Sequence, residues 1–259
     1  MATIGIYGIK SRNGNLPPGY THDHSLTKIV DGEIKSYIQL ERLTRLKNDN
    51  SMDKWIELLL KDSQLDISPN DDFVFVDSFA GRGLISKNGV FRFEAPLFNT
   101  LKPIIEKGNL WIGNSRRKTA YILNHEFAHV CSNLPFYGAF KENSLLIHLD
   151  GGASQSNFSA WTYKNNQFKS IEYSWDLKEI TDIFQNNKLV FKILGLSHKK
   201  HAIAAGKIMG YSSYGTPNKR ILNWLRQNKY FSQSISTKDV YSQIFRSFNI
   251  RLTEFDPNA

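Results

Sequence analysis

Short apolar runs separated by turn residues open the chain. Residues 4–9 hold three isoleucines spaced by small or aromatic residues, which predicts a first strand. The runs 25–30 and 33–40 flank Asp31-Gly32, and this dipeptide between apolar runs is a strong hairpin signal. We therefore predict three antiparallel strands at the start of the chain.

The period of the pattern changes in the next segments. Residues 52–61 carry apolar side chains at helical spacing after Asn50 or Ser51, either of which suits an N-cap, so we predict a helix. Residues 72–77 form a short apolar run between aspartates, which is typical of a buried strand. Residues 117–133 place their apolar side chains on one side of a helix, and we predict one amphipathic helix there.

The second half repeats this succession of strands and helices. Residues 145–149 are predicted as a buried strand, and residues 157–163 and 167–173 as a hairpin around Asn165-Asn166. Helices are predicted over four further segments, of which the third begins at Thr216-Pro217: 176–187, 198–209, 217–228 and 237–248.

The repeated order predicts an α/β (α+β) protein of two stacked lobes that face each other across a cleft. The first lobe spans residues 1–143 and holds the histidine helix. The second spans residues 144–259, and we expect it to be incomplete because it shows no later buried strands.

Composition and charge narrow the class of protein. The chain has 259 residues, of which 41% are apolar and 22% charged, as in ordinary globular proteins. A formal charge of +9 suits anionic partners, but the basic clusters lack interleaved aromatic residues, which argues against nucleic acid. The single cysteine, Cys131, excludes a disulfide scaffold and a multi-cysteine metal site. Without a long apolar run or a secretory signal, we expect a cytoplasmic protein with no membrane partner.

The sharpest local pattern is the segment from His125 to His129. Residues four apart lie on the same face of a helix, so both imidazoles can bind one cation. Asp150 ends a predicted buried strand, where a carboxylate is costly unless it is paired, hydrogen-bonded or bound to a cation. Two imidazoles and a carboxylate suit Fe(II), Zn(II) or Mn(II). The alternatives are a solvated histidine pair and an aspartate that only shapes the turn with Gly151-Gly152.

The same segment also fits the H-E-x-x-H pattern of zinc peptidases, with Glu126 as general base. That chemistry needs a third ligand, for which Glu142 and Glu172 are candidates. Ser132 stands where the longer form of the motif has glycine. A zinc peptidase is therefore the less favoured alternative.

Several short segments, taken in chain order, resemble one family. They are His22-Asp23-His24-Ser25, Asp31-Gly32-Glu33-Ile34, Glu41-Arg42-Leu43-Thr44-Arg45-Leu46-Lys47, His125 to His129, Asp150-Gly151-Gly152, and Gly206-Lys207-Ile208-Met209-Gly210 running on to Ser213-Tyr214-Gly215. Together they are similar to the N-terminal part of the O-carbamoyltransferases of the nodulation and cephamycin type. The resemblance covers residues 3–217 and implies two stacked ribonuclease-H-like lobes, as in actin, sugar kinases and Hsp70 chaperones.

The resemblance implies a reaction and a cofactor. In that family carbamoyl phosphate and ATP give a carbamoyl-adenylate, whose carbamoyl group passes to a hydroxyl group of an acceptor. It implies a divalent metal on His125, His129 and Asp150, with Fe(II) preferred over Zn or Mn, and ATP as co-substrate. The implied partners are carbamoyl phosphate, ATP and a hydroxyl-bearing small molecule.

His22 matches the family histidine that acts as general base on the acceptor hydroxyl. An imidazole titrates near neutrality, which suits that role. The alternative is a loop residue that caps the second strand. His24 occupies a position that is usually small in the family, so we interpret it as incidental.

Six further residues match segments that the family uses around substrate and nucleotide: Arg42, Arg45, Lys47, Gly151, Gly152 and Lys207. Guanidinium groups bind phosphate well, and adjacent glycines let backbone amides approach a phosphate. We expect at least one of the three cations that follow the third strand to be an ordinary solvated charge. Lys207 is expected to contact the nucleotide, and the alternative is that it is an ordinary surface lysine.

The chain departs from the family pattern in three ways. Asn124 stands where a ligand-supporting residue is common, and Ala204-Ala205 replace an acidic pair near the expected nucleotide. Family members also continue beyond the matched segments, with a late aspartate that completes the metal shell. We therefore expect a continuation or a second polypeptide to supply the remainder. A nucleotide- or partner-binding module of the same fold, without turnover, is the alternative function.

Overall fold

The computed structural model describes residues 1–10, 21–78, 81–96, 104–114, 117–150, 155–174, 213–228, 243–244 and 246–249. The chain divides into two compact units, Met1–Ser174 and Trp175–Ala259. The predicted lobe boundary near residue 143 lies inside the first unit and stays a prediction.

Strands dominate the described part of the first unit. In chain order its elements are β1 Thr3–Tyr7, β2 Ser25–Val30, β3 Glu33–Gln39, α1 Leu40–Thr44, α2 Met52–Leu59, β4 Asp72–Val76, β5 Gly83–Ile85, β6 Phe91–Glu94, β7 Ile105–Ile112, β8 Lys118–Leu123, α3 His125–Cys131, α4 Leu134–Tyr137, β9 Ser144–Leu149, β10 Phe158–Lys164 and β11 Gln167–Ser174. The strands form a mixed sheet of eight strands and a separate sheet of three, so the fold is α+β.

The large sheet has the order β3-β2-β1-β4-β8-β7-β6-β5. β1 pairs in parallel with β4, and β4 in parallel with β8. All its other strand pairs are antiparallel. The predicted N-terminal meander is confirmed, with Asp31 and Gly32 both at positive φ in the turn between β2 and β3. The carboxyl ends of β1, β4 and β8 therefore lie along the same edge of the sheet.

The main core lies against this sheet. β1 and β4 alternate buried and partly exposed residues, so that Ile4, Ile6, Phe73 and Phe75 all point to the same side. α2 begins after Ser51, as predicted, and packs its buried Met52, Ile56 and Leu59 into the same cluster. Apolar burial of this kind is the main force that holds the central strands together.

The predicted helix over 117–133 is wrong in its first half, where the structure has β8. Ala120 and Ile122 are buried while Thr119 is exposed, which is the alternation of a strand. Asn124 then ends the strand and starts α3, because its side-chain oxygen accepts the N–H of Phe127 at 2.9 Å. The spacing of apolar residues in this stretch follows the period of a strand at first and that of a helix afterwards. One helix over the whole stretch was therefore predicted.

The small sheet has the order β11-β10-β9 and is antiparallel throughout. The predicted hairpin is confirmed, with Asn165 and Asn166 both at positive φ. β9 lies where a strand was predicted, but it is not buried as predicted. Leu145, Ile147 and Leu149 face outward, because only the other face of β9 is covered. That covered face contacts α3, where Phe127, Val130 and Trp161 form a second apolar cluster.

In the second unit, α5 (Lys219–Gln227) confirms the helix predicted over 217–228. Its N-cap is Asn218 rather than Thr216, and the Asn218 side-chain oxygen Oδ1 accepts the N–H groups of Arg220 and Ile221. Helical residues 243–244 and 246–248 fall within the segment predicted over 237–248. The helices predicted over 176–187 and 198–209 lie outside the described residues. Among the residues that the structure describes, no helix has the length and apolarity required to cross a bilayer.

Candidate metal centre

The two helical histidines lie on α3, which begins directly after strand β8 of the large sheet. Asp77 follows β4, and its Oδ1 accepts the backbone N–H of His125 at 3.0 Å. His129 follows one helical turn later, so both imidazoles leave the same face of α3. Asp150 comes from a different element, because it directly follows β9, which contacts α3.

The three predicted ligands converge as expected. The Nε2 atoms of His125 and His129 are 3.1 Å apart, and His129 Nε2 is 3.4 Å from Asp150 Oδ2. One ligand atom from each of the three residues lies within 4.8 Å of the others. Within the described ranges, no other group of three such side chains could hold a metal ion.

These distances fit a cation that all three groups bind. Two nitrogens at about 2.0–2.1 Å from one ion lie roughly 2.9–3.4 Å from each other at the usual coordination angles. The His129 side chain is 44% exposed, so ligands can reach the group from solvent. Two imidazoles and one carboxylate also form a donor set that suits Fe(II), Zn(II) or Mn(II).

The protonation state of His125 favours metal binding. Burial, and to a smaller extent the neighbouring His129, lowers the pKa of His125 to about 4. The imidazole is therefore neutral at physiological pH. A neutral ring nitrogen has the lone pair that a metal ligand needs.

His22, the predicted general base, forms a pair with the adjacent Asp23. His22 Nδ1 lies 2.7 Å from Asp23 Oδ2, and both side chains are partly exposed. Asp23 adopts a left-handed backbone conformation, with φ of 57°. An aspartate that accepts the Nδ1 hydrogen leaves Nε2 of the imidazole as the basic nitrogen.

Tyr7, which sequence reasoning missed, lies beside the first histidine of α3. Its ring lies edge-on to the His125 ring, with centroids 5.5 Å apart. Burial, with smaller contributions from the carboxylates of Asp150, Asp23 and Asp77, raises the pKa of Tyr7 to about 12. Tyr7 ends β1, and the parallel pairing of β1 with β4 brings it to the sheet edge where Asp77 lies. The sequence pattern does not reveal this pairing, so Tyr7 could not be assigned to the site from sequence.

The His24 ring also packs against Tyr7. It is fully buried, and its ring lies 5.7 Å from that of Tyr7. Its Nδ1 accepts the backbone N–H of Met52 at 3.3 Å, and burial lowers its pKa to about 4. His24 thus joins Tyr7 of β1 to the start of α2, and the interpretation that it is incidental to function stays a prediction.

His148 is a further histidine that the sequence did not single out. It lies on β9, and its side chain is turned inward, with 3% exposure. Its ring centroid is 4.9 Å from that of His129. Burial lowers the pKa of His148 to about 4, with a smaller contribution from His129. His148 lies on the covered face of β9 with Leu146, and the alternation of the strand places it there.

Glu126 is engaged away from the histidine pair. It is fully buried, and its Oε1 accepts the backbone N–H groups of Gln155 and Ser156, the latter at 3.0 Å. Neither Glu142 nor Glu172 belongs to the group of converging ligands among the described residues. This arrangement argues against the zinc-peptidase alternative, because the carboxylate needed as general base holds the backbone of residues 155–156.

The predicted basic cluster after β3 surrounds a buried carboxylate. Arg42 Nε lies 3.7 Å and Lys47 Nζ 3.1 Å from the two carboxylate oxygens of Glu41. A hydrogen bond from the Asn48 backbone, followed by the bond from Lys47, lowers the pKa of Glu41. Arg45 ends α1 in a left-handed conformation. Arg42 and Lys47 thus have a structural partner, and substrate binding by this cluster stays a prediction.

The predicted phosphate-binding residues Gly151 and Gly152, and the predicted nucleotide contact Lys207, lie outside the described residues. In comparisons with known proteins, no family model and no curated protein matches this chain.

Proposed function

We propose that this chain is the metal-binding part of an O-carbamoyltransferase, which passes a carbamoyl group from carbamoyl-adenylate to a hydroxyl group of a small molecule. The observation that carries the proposal is the convergence of His125, His129 and Asp150 beside Tyr7. The negative charge of Asp23, the partner of His22, also raises the pKa of Tyr7. Carbamoyl phosphate and ATP are the proposed sources of the carbamoyl-adenylate.

The strand order supports the finer fold that this proposal requires. A ribonuclease-H-like lobe has three antiparallel strands followed by two strands parallel to the first. β3-β2-β1-β4-β8 has that order and those directions, with β5, β6 and β7 extending the sheet beyond it. The meander β9-β10-β11 resembles the start of a second such lobe. We infer two lobes of this type, joined near residue 143.

In the proposed transfer step, His22 acts on the acceptor. Its Nε2 takes the proton of the acceptor hydroxyl while that oxygen bonds to the carbamoyl carbon. The bond between this carbon and the AMP phosphate oxygen breaks, and AMP leaves with the electron pair. Asp23 holds the Nδ1 hydrogen of the imidazole, so it orients the ring and stabilises the imidazolium that forms.

His125, His129 and Asp150 would hold a divalent cation beside this step. Such a cation, when bound, polarises a carbonyl or phosphate oxygen and neutralises developing negative charge. Tyr7 stays a neutral phenol because of its raised pKa, and its ring limits the space around His125. The exposed side of His129 leaves room for the substrate to enter.

Chemically prepared carbamoyl-adenylate provides the direct test, because it avoids the need for a second polypeptide to make it. The full chain loaded with Fe(II) is incubated with this compound and a polyol acceptor, and AMP and the carbamate ester are measured. We expect acceptor-dependent AMP release that His22→Ala and His129→Ala both abolish. Ser170→Ala on the exposed side of β11 serves as the control. Absence of carbamate ester from the wild-type chain would contradict the proposal.

A parallel incubation with ATP and carbamoyl phosphate distinguishes the proposed transferase from the alternative, a nucleotide-binding module without turnover. Release of AMP or pyrophosphate by the chain alone shows that it also forms the adenylate. Release only after a second polypeptide is added assigns adenylate formation to that partner. ATP binding without either release or ester formation would instead assign a non-catalytic nucleotide-binding module.

A further inference from the structure

His148 lies directly beside the three converging ligands. It precedes Asp150 by two residues at the end of β9, so both side chains leave the same face of that strand. Its ring packs against that of His129, with centroids 4.9 Å apart. Its donor atoms are outside the group of three that lie within 4.8 Å of one another. His148 is therefore a neighbour of this group rather than a fourth ligand.

A chain of hydrogen bonds determines which nitrogen of His148 carries hydrogen. Trp161 Nε1 donates to Ser159 Oγ at 2.9 Å, and Ser159 Oγ lies 3.2 Å from His148 Nδ1. The indole nitrogen can only donate, so the serine oxygen accepts from it. Ser159 is fully buried, and in the described residues its hydroxyl contacts only these two groups.

The hydroxyl hydrogen of Ser159 therefore points to Nδ1 of His148. The alternative, a hydroxyl that accepts from both neighbours, would leave its own hydrogen buried without an acceptor, which is unfavourable. A neutral imidazole carries one ring hydrogen, and with Nδ1 as acceptor this hydrogen is on Nε2.

The Nε2 atom of His148 is buried, and it has no hydrogen-bond partner in the part of the chain that the structure describes. A buried N–H without an acceptor is costly. Since the ring packs against that of His129, an anion bound at the three converging ligands would supply an acceptor beside it. An oxygen atom of an anionic ligand has the lone pairs and charge that this N–H would favour.

We propose that His148 is a fixed hydrogen-bond donor, through Nε2, to an oxygen atom of an oxyanion held at the His125, His129 and Asp150 group. The ligand class comprises carbamate-like and phosphate oxyanions. The inference rests on the proposed metal centre, and it adds a residue that selects oxyanions there. Ser159 and Trp161 act as positioning residues, because they fix the tautomer of His148.

The first experiment measures the tautomer in the full-length wild-type chain without metal. Isotope-labelled histidine allows the two ring nitrogens to be distinguished by long-range proton–nitrogen NMR, and the chain has only seven histidines to assign. We expect His148 to carry its hydrogen on Nε2, and the Ser159→Ala change to mix the tautomers. The control Ser170→Ala should leave the His148 signals unchanged. A hydrogen on Nδ1 in the wild-type chain would overturn the inference.

The second experiment measures anion binding by the Co(II)-loaded chain. Inorganic phosphate and bicarbonate are added in separate titrations, and their binding is followed by the visible spectrum of Co(II). The change His148→Gln places an amide N–H near the position of Nε2, whereas His148→Asn places its polar atoms near Nδ1. We expect His148→Asn to weaken anion binding about tenfold or more and His148→Gln to retain most of it.

The outcomes separate the two proposals. If the wild-type chain binds Co(II) and both variants bind the anions as tightly as wild type does, the role of His148 is wrong and the metal centre stands. If the wild-type chain takes up no Co(II), the metal centre itself is wrong, and the inference fails with it. A response to only one of the two anions identifies which oxyanion the site accepts. Equal Co(II) content in wild type and variants is the check on folding.

Discussion

Asp77 accepts the backbone N–H of His125 at a distance of 3.0 Å, and this bond ties the end of β4 to the first residue of α3. β4 and β8 run parallel, so the chain that leaves β8 enters α3 at the edge of the sheet where Asp77 lies. The carboxylate also complements the positive end of the helix dipole. The position of the histidine pair is thus fixed by the sheet, and α3 alone would not determine it.

Removal of the predicted ligands should abolish metal binding. We expect His125→Ala and His129→Ala each to lose most of the bound Fe(II) or Zn(II), because two ligands from three cannot hold the ion tightly. Elemental analysis after dialysis measures the metal content. His22→Ala is the matched control, since His22 lies outside the converging group. Equal metal content in all three variants would contradict the assignment of the site.

Loss of the N-cap should destabilise α3 and disturb the site together. Asn124→Ala removes the acceptor for the Phe127 N–H and should lower the free energy of unfolding by about 1 kcal/mol. Asn124→Ser keeps an acceptor oxygen and should recover most of that loss. Urea unfolding of the two variants measures the difference. A similar stability for alanine and serine would show that the cap contributes little.

The stability of the protein should depend on pH through His24. Burial lowers the pKa of His24 to about 4 from 6.5, so the unfolded chain binds the proton more readily than the folded chain does. The free energy of unfolding should therefore fall as the pH drops from about 6.5 to about 4, by at most about 3 kcal/mol from this residue.

The variant His24→Asn isolates that contribution. Its side-chain oxygen can still accept the Met52 N–H, but it does not titrate. We expect a smaller pH dependence of unfolding between about 4 and 6.5 in this variant, measured by urea denaturation at several pH values. An unchanged slope would assign the pH dependence to other groups.

Gly108 on β7 should not tolerate a side chain. A Cβ atom there would lie 2.5 Å from Cε2 of Phe93 and 2.8 Å from the carbonyl oxygen of Glu94. Phe93 is buried and stacked on Phe75, so it has little room to move. We expect Gly108→Ala to cost about 1–3 kcal/mol of stability.

Gly5→Ala is the matched control for that prediction. A Cβ at Gly5 would meet Thr27 only at 3.9 Å, an ordinary contact distance. Thermal unfolding of the two variants compares an overcrowded strand position with an open one. Equal melting temperatures would show that β6 and β7 adjust without cost.

The elements that depend only on local residue preferences could be predicted from the sequence. The turn at Asp31-Gly32 and the turn at Asn165-Asn166 both need backbone conformations that these residues adopt readily, and both hairpins form there. The spacing of His125 and His129 likewise depends only on helical geometry. Both residues lie on one helix as predicted, although that helix begins later than predicted.

Prediction from the sequence was wrong where the secondary structure or the burial of a segment depends on neighbouring elements of the fold. Residues 118–123 have a pattern that fits a helix or a strand, and pairing with β4 and β7 selects the strand. The outward face of β9 could not be foreseen either, because an apolar run does not reveal which face of its strand the tertiary structure leaves uncovered.

The sequence by itself therefore determined two hairpins, the helical spacing of the imidazoles and the presence of a carboxylate at the end of β9. Tertiary structure decided which side chains surround them. Tyr7, His24 and His148 reach the site through strand pairing and burial, and both depend on residues distant in the chain. Local sequence patterns report the geometry of one element, whereas a site assembled from several elements depends on how those elements pack.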